Sequence, residues 1–301
     1  MTDPWAPPEH RPGRDELLDH AVARLQATRD RPAAPCKICG QPAEPFDMVD
    51  FHKSCDRTLY PLGLAAIPVI YRRCSACAFI FTDFFDQFTA GQWRAHVYNA
   101  DYAKVDPEYL GVRPRGNARD IVSFLAGRRR ETIGLDYGGG EGMTAALLRE
   151  NGWAFDSYDP YATTELTPEF AGRYNFCSAF EVFEHSPDPA GSLRQILQRA
   201  SPDELTVYIG TGTHDGIVTD ETRLSWWYVA PRNGHVSIYS RRSLQILAQQ
   251  AGLRYVGAWP FRGTHVLTRG IGDGAVRSRL VGAKLVRQAR TVLHAWPKTL
   301  P

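Results

Sequence analysis

The fold can be read from Thr132-Ile133-Gly134-Leu135-Asp136-Tyr137-Gly138-Gly139-Gly140-Glu141-Gly142-Met143. Thr132 to Asp136 is a short run closed by glycines, the pattern of a buried strand, and Met143 to Asn151 carries helical spacing. Glycines between a strand and a helix let backbone approach a ligand at the carboxyl edge of an α/β sheet. The spacing is not the dinucleotide fingerprint G-x-G-x-x-G, which counted from Gly138 would end on Met143. It reads D-x-G-x-G-x-G, with Asp136 at the strand end. A second strand, Trp153 to Tyr158, runs into Asp159, 17 residues beyond Gly142. A carboxylate on that strand tip can accept hydrogen bonds from both hydroxyls of a ribose, so the pairing suggests an adenosine-bearing ligand. The plainer alternative is a surface aspartate beside an unrelated glycine turn.

Working outward, the spacing predicts helices over 118–125, 190–200 and 242–251, and strands near 176–182, 205–209, 254–258 and 265–267. Such alternation implies an α/β protein with a Rossmann-like, doubly wound and mainly parallel sheet, helices on both faces, spanning residues 115–270. Residues 1–35 read as a proline-rich disordered leader and a short helix from Asp15, and 81–114 as an aromatic connecting segment.

Of the 301 residues, 43% are hydrophobic, which excludes collagen, coiled coil and bulk disorder. The longest uncharged apolar stretch, Tyr60 to Tyr71, contains prolines and falls short of the ~18 residues of a membrane span. With no secretory signal pattern at the N-terminus, the expected location is cytoplasmic. Net charge is +2, yet residues 271–301 hold six bases and one acid, leaving a mildly acidic body that argues against a nucleic-acid-binding surface. In that tail Leu285, Val286, Ala289, Val292, Leu293 and Trp296 share one helical face beside Arg277, Lys284, Arg287 and Arg290. A basic amphipathic helix of this kind suits an anionic membrane or a protein partner, or packs on its own domain.

Five of the six cysteines fall between positions 36 and 77, in the pattern C-x2-C-x12-H-x2-C-x18-C-x2-C. Two C-x2-C pairs suit tetrahedral zinc, so residues 36–80 read as a zinc-binding module with ligands Cys36, Cys39, Cys74 and Cys77. Four protein ligands leave no open position, which makes the ion structural. His52 and Cys55 could replace one pair, bind a second ion incompletely, or be core residues. Cys177, within a predicted strand, reads as a buried small hydrophobe.

The glycine loop, Asp159 and the stretch Phe180-Glu181-Val182-Phe183-Glu184-His185-Ser186-Pro187-Asp188-Pro189 together resemble the class I S-adenosylmethionine-dependent methyltransferases. The resemblance covers about residues 115–270. It implies that Gly138, Gly140 and Gly142 line the donor, that Asp136 lies near its methionine end, and that Asp159 holds its ribose. Between Asp159 and Phe176 there is little room for the family's usual third strand and helix. With the cysteine module in front, the chain is also similar to the zinc-containing sugar C-methyltransferases. His235 matches the last histidine of that group's Tyr-His-Glu-His-x-Ser motif, whereas Arg232 and Asn233 depart from it, and the group's carboxyl-terminal domain has no counterpart here.

The expected reaction is methyl transfer to a small-molecule or sugar-like acceptor, on oxygen, with a histidine removing the proton. His235 is the first choice, because it follows the flat-ringed run Trp226-Trp227-Tyr228; His214 and His185 are the other candidates. Tyr98 and Tyr102 could close over the donor or serve as packing. The rival readings are C-methylation of a nucleotide-linked sugar and a non-catalytic zinc- and nucleoside-binding protein.

Overall fold

The computed structural model describes residues 14–56, 58–108, 111–160, 172–257 and 263–293, with 285–293 described only as helical backbone. The first elements in the chain are α1 (Arg14–Asp30), β1 (Ala34–Pro35), β2 (Pro42–Asp50), β3 (Pro68–Cys74), β4 (Ile80–Phe81), α2 (Ala90–His96), α3 (Tyr102–Val105) and α4 (Val112–Phe124). The α/β half follows with β5 (Ile133–Tyr137), α5 (Met143–Glu150), β6 (Ala154–Tyr158), β7 (Phe176–Phe180), α6 (Pro189–Arg199) and β8 (Leu205–Gly210). Last come β9 (Ser237–Ile238), α7 (Arg241–Gln250), β10 (Arg254–Gly257), β11 (Thr264–Arg269) and α8 (Asp273–Leu293).

The larger sheet has the order β10-β11-β8-β7-β5-β6. Strands β6, β5, β7 and β8 are parallel, while β11 runs antiparallel to both β8 and β10. The mainly parallel expectation thus becomes a mixed sheet. The link from β10 to β11 is too short for a helical crossover, and short links join antiparallel strands. All six residues of β8 are buried, as are four of the five in β7, as expected of central strands covered on both faces. The helices are set by local chemistry. Asp188 caps α6 by accepting a hydrogen bond from the Gly191 amide at 2.9 Å, with Pro189 in its first turn, and Ser240 and Ser243 form a capping box on α7.

The cysteine-bearing segment does not stand apart. Its antiparallel sheet, β1-β2-β3-β4-β9, recruits β9 from 157 residues beyond β4 in register, through Ile80↔Ile238 and Phe81↔Ser237. One apolar cluster contains Cys36, Ile38, Cys77, Phe79 and Phe81 together with Leu135, Ile209, Tyr239 and Leu244. The knuckles are therefore packed on the main sheet's own core. On the other side of the large sheet, Val276 and Leu280 of α8 are buried with Ile121, Phe124 and Tyr208, so the first half of the basic tail packs on its own domain. The side chains expected to continue that stripe, Leu285 to Trp296, lie outside the described residues. So do residues 161–171, where the third strand of the family pattern would fall, and Tyr109 of the aromatic segment. Among the described residues no helix is long and apolar enough to cross a membrane.

Lys53 joins the two halves. Its ammonium is buried and donates to the carbonyl oxygens of Trp226 at 2.8 Å and Val229 at 2.5 Å, and its own carbonyl accepts from the Arg232 amide. Burial lowers its pKa to about 8. Lys53→Met keeps the apolar stem but strands both carbonyls, and is expected to cost roughly 2–4 kcal/mol, seen as a lower Tm by calorimetry; an unchanged Tm would deny the clamp.

Candidate active site

The glycine loop leaves β5 at the carboxyl edge and turns into α5. Gly138 has φ 73°, and a Cβ there would lie 2.4 Å from Cγ2 of Val182, so neither its backbone nor its surroundings accept a side chain. Its amide donates to the Tyr158 carbonyl at 2.7 Å, which ties the loop to β6. Gly140 presents its amide to Oδ2 of Asp159 at 2.9 Å, and Gly142 is the residue that opens α5. The five residues predicted to serve one ligand, Asp136, Gly138, Gly140, Gly142 and Asp159, thus lie on adjoining strand tips and the loop between them.

Asp136 is buried and accepts from the Ser178 hydroxyl at 2.7 Å. Burial lifts its pKa to about 6; the hydrogen bonds from Ser178 and Thr144 oppose the rise and the Asp159 carboxylate adds to it. The loop therefore carries a carboxyl group poised to respond to a nearby positive charge.

Four side chains meet beside this loop. Ligand atoms of Glu181, Glu184, His185 and His235 all lie within 4.8 Å of one another. Glu181 directly follows β7 with φ 54°, an uncommon conformation for a non-glycine residue, and its amide donates to the Gly210 carbonyl at 3.0 Å. Arg113 donates to its Oε2 at 3.0 Å and is also paired with Asp106. Glu184 and His185 sit in the one-turn 3-10 helix that follows. Glu184 is completely buried; the Tyr228 hydroxyl donates to its Oε1, whereas its Oε2 has no hydrogen-bond partner. Burial and the neighbouring Glu181 raise its pKa to about 8.

The two histidine rings are 4.8 Å apart at 82°. His235 Nδ1 lies 2.7 Å from the Tyr228 carbonyl, an acceptor, so this nitrogen carries the hydrogen and the Nε2 lone pair is left available. Burial lowers the His235 pKa to about 4 and that of His185 well below the usual range, so both rings are neutral. His185 reaches the cluster because residue 234 is glycine: a Cβ there would crowd His185 Nδ1 at 3.1 Å and the Tyr98 hydroxyl at 3.3 Å. His214 stands elsewhere. Its Nε2 bonds the Ala78 carbonyl at 2.7 Å, against the second cysteine knuckle.

Cys36, Cys39, Cys74 and Cys77 are free thiols whose sulfurs also lie within 4.8 Å of one another, with three pairs at 3.5–3.6 Å. A disulfide would need about 2.0 Å, whereas four sulfurs about 2.3 Å from a central ion stand about 3.8 Å apart. Matching knuckles present the pairs: Gly40 and Ala78 donate their amides to the carbonyls of Cys36 and Cys74, each at 2.9 Å. Cys55 is not in this group; its sulfur is 3.7 Å from His235 Nδ1, and His52 Nδ1 instead lies 3.1 Å from the Gly63 carbonyl. Cys177 is fully buried in β7.

Residues 109–258 match the family model described as a methyltransferase domain. This region is a methyltransferase domain. Among curated proteins none matches the chain significantly. Among solved structures it is similar to the plantazolicin methyltransferase BpumL in complex with a pentazolic desmethylPZN analog and SAH, at 14% identity over 67% of this chain and 89% of that one, TM-score 0.41. It is also similar to magnesium protoporphyrin IX methyltransferase (ChlM) from Synechocystis PCC 6803 with bound SAH, at 12% identity over 62% of this chain and 95% of that one, TM-score 0.38.

In the methyltransferase, several contacts around the site could not be read in the sequence. Arg232, almost fully buried, donates to the Val97 carbonyl at 2.6 Å and to Asn99 Oδ1 at 2.7 Å. Asn233 accepts from the Cys55 amide and donates to the Val105 carbonyl. The Tyr71 hydroxyl donates to the His235 carbonyl at 2.7 Å. Nothing in periodicity marks these partners, because each is more than 100 positions away.

Asp136 makes a testable contribution. Its folded pKa of about 6 lies above the reference 3.8, so between those values the native state binds more protons than the unfolded chain. Stability falls as pH rises through that window, and the loss persists above it, amounting to about 3 kcal/mol. Asp136→Asn should remove this slope, so denaturation from pH 4 to 7 should show the variant gaining on the wild type. Parallel curves would refute the buried-carboxyl account.

Proposed function

We propose that this methyltransferase takes its methyl group from S-adenosylmethionine and passes it to an oxygen of a small-molecule or sugar-like acceptor. The observation that carries the reading is the Asp159 carboxylate meeting the Gly140 amide at 2.9 Å, which unites two strand tips around a loop of bare backbone. A nucleoside suits such a rim, with its ribose hydroxyls on Asp159 and its methionine portion against the loop and Asp136. When bound, the sulfonium supplies an electrophilic methyl group. The chain's own work is to align the acceptor and exclude water. His235 and His185 face the cluster as neutral rings, and the free Nε2 of His235 is the base that takes the acceptor's hydroxyl proton as the oxygen–methyl bond forms and the methyl–sulfur bond breaks. The stacked Trp226 and Tyr228 rings, 4.9 Å apart, close the same side.

The four cysteines fit a structural zinc ion in their number, free-thiol state and sulfur spacing. It would stiffen the knuckles that pack on the main core, with no position left for an acceptor.

Titration calorimetry with S-adenosylmethionine tests the donor. The wild type should bind it, and Asp159→Ala should weaken binding at least about tenfold, near 1.4 kcal/mol; full affinity in the variant would remove the ribose contact. Elemental analysis tests the ion. One zinc per chain is expected, lost in Cys74→Ser/Cys77→Ser with a lower Tm, and a zinc-free wild type that melts like this variant would contradict the assignment.

A further inference from the structure

We propose that Glu181, Glu184, His185 and His235 hold a divalent first-row metal ion, separate from the cysteine site, that presents an oxygen of the acceptor to the donor. The proposal rests on the methyltransferase reading above and names the means by which the acceptor is held. Four ligand atoms within 4.8 Å of one another come within a few tenths of an ångström of one coordination sphere, in which ligands about 2.1 Å from the ion are at most about 4.2 Å apart.

Three further observations point to a missing ligand rather than a packed polar cluster. Glu184 Oε2 is buried and has no partner, while the same carboxylate's Oε1 is held by the Tyr228 hydroxyl. An orphaned buried acceptor of this kind is costly unless something supplies positive charge or a proton. His235 is oriented as a metal ligand usually is, one ring nitrogen donating to a backbone carbonyl and the other left with its lone pair. Glu181 is held at φ 54° with Arg113 on Oε2, an uncommon backbone state that brings a second carboxylate toward the first although like charges repel. A divalent ion balances both carboxylates, and the neutral rings add no charge.

Two carboxylates and two imidazoles favour manganese or iron in the divalent state, and are harder than the four thiolates of the other site. Four protein ligands leave two positions in an octahedral sphere, enough for a hydroxyl and a neighbouring oxygen of one acceptor. Acceptors with adjacent oxygens therefore form the substrate class. Held so, the acceptor hydroxyl would be acidified by the ion and give up its proton to solvent, in place of proton transfer to His235, before its oxygen takes the methyl group and the methyl–sulfur bond breaks.

Manganese is the probe. Full-length protein titrated with Mn²⁺, with the free ion followed by electron paramagnetic resonance, should bind one equivalent in the wild type. Glu184→Gln, which preserves shape and the bond from Tyr228, should weaken binding at least about tenfold, as should Glu181→Gln. Zinc content should stay as in the wild type in both variants, showing that the fold and the cysteine site persist. A wild type that leaves Mn²⁺ free would overturn the proposal and leave a protonated Glu184 as the occupant of that space, as would variants that bind Mn²⁺ like the wild type. Calorimetry with S-adenosylmethionine separates the two readings: lost Mn²⁺ binding with the donor still bound defeats the ion alone, whereas a wild type that does not bind the donor defeats the donor assignment.

Discussion

Buried polar groups in the segment between β8 and β9 have to find partners, and the N-terminal module supplies them. Lys53 holds the carbonyls of Trp226 and Val229, Tyr71 holds that of His235, and the Cys55 amide holds Asn233. An unpaired buried group costs about 1–3 kcal/mol, so these contacts together decide whether the segment keeps one conformation. His235 faces Glu184 and His185 because its own carbonyl and its Nδ1 are each committed elsewhere. The cysteine knuckles matter to the site by the same route: they anchor the strands that carry Tyr71 and border Lys53.

This dependence explains why module and sheet share a core instead of meeting through a linker. Phe79, Phe81 and Tyr239 pack with Leu244 of α7, and β4 pairs with β9. The connecting helices take part as well. Tyr98 stacks at 5.9 Å on Trp93 and lies 3.3 Å from His185 Nδ1, and Arg232 fastens the turn after α2. The aromatic segment is thus both packing and a wall of the cleft.

The two electrostatic features of the cleft have one origin. Asp136 and Glu184 are carboxyl groups taken out of water, and burial raises the pKa of each. They differ in their surroundings. Asp136 has hydroxyl donors from Ser178 and Thr144 and adjoins a loop of open backbone, whereas Glu184, with donors from Tyr228 and Thr211, keeps one bare oxygen and has another carboxylate close by. The first environment suits a ligand with a positive charge near the loop; the second suits a charge held inside the cluster.

Sequence alone carried the parallel strands, the glycine loop with Asp136 and Asp159, and the pairing of two C-x2-C knuckles, because each is written in local periodicity or in short spacing. It also drew attention to Glu181, Glu184 and His185, which fall within five consecutive positions. Tertiary structure decided the rest. The antiparallel β11, the two-residue pairing of β4 with β9, the separation of His214 from His185 and His235, and the partnership of Lys53, Cys55 and Tyr71 with a segment some 160 to 180 positions away leave no periodic trace. They arise where hydrogen-bonding groups must be satisfied in three dimensions, and that requirement is felt only once the chain has closed around them.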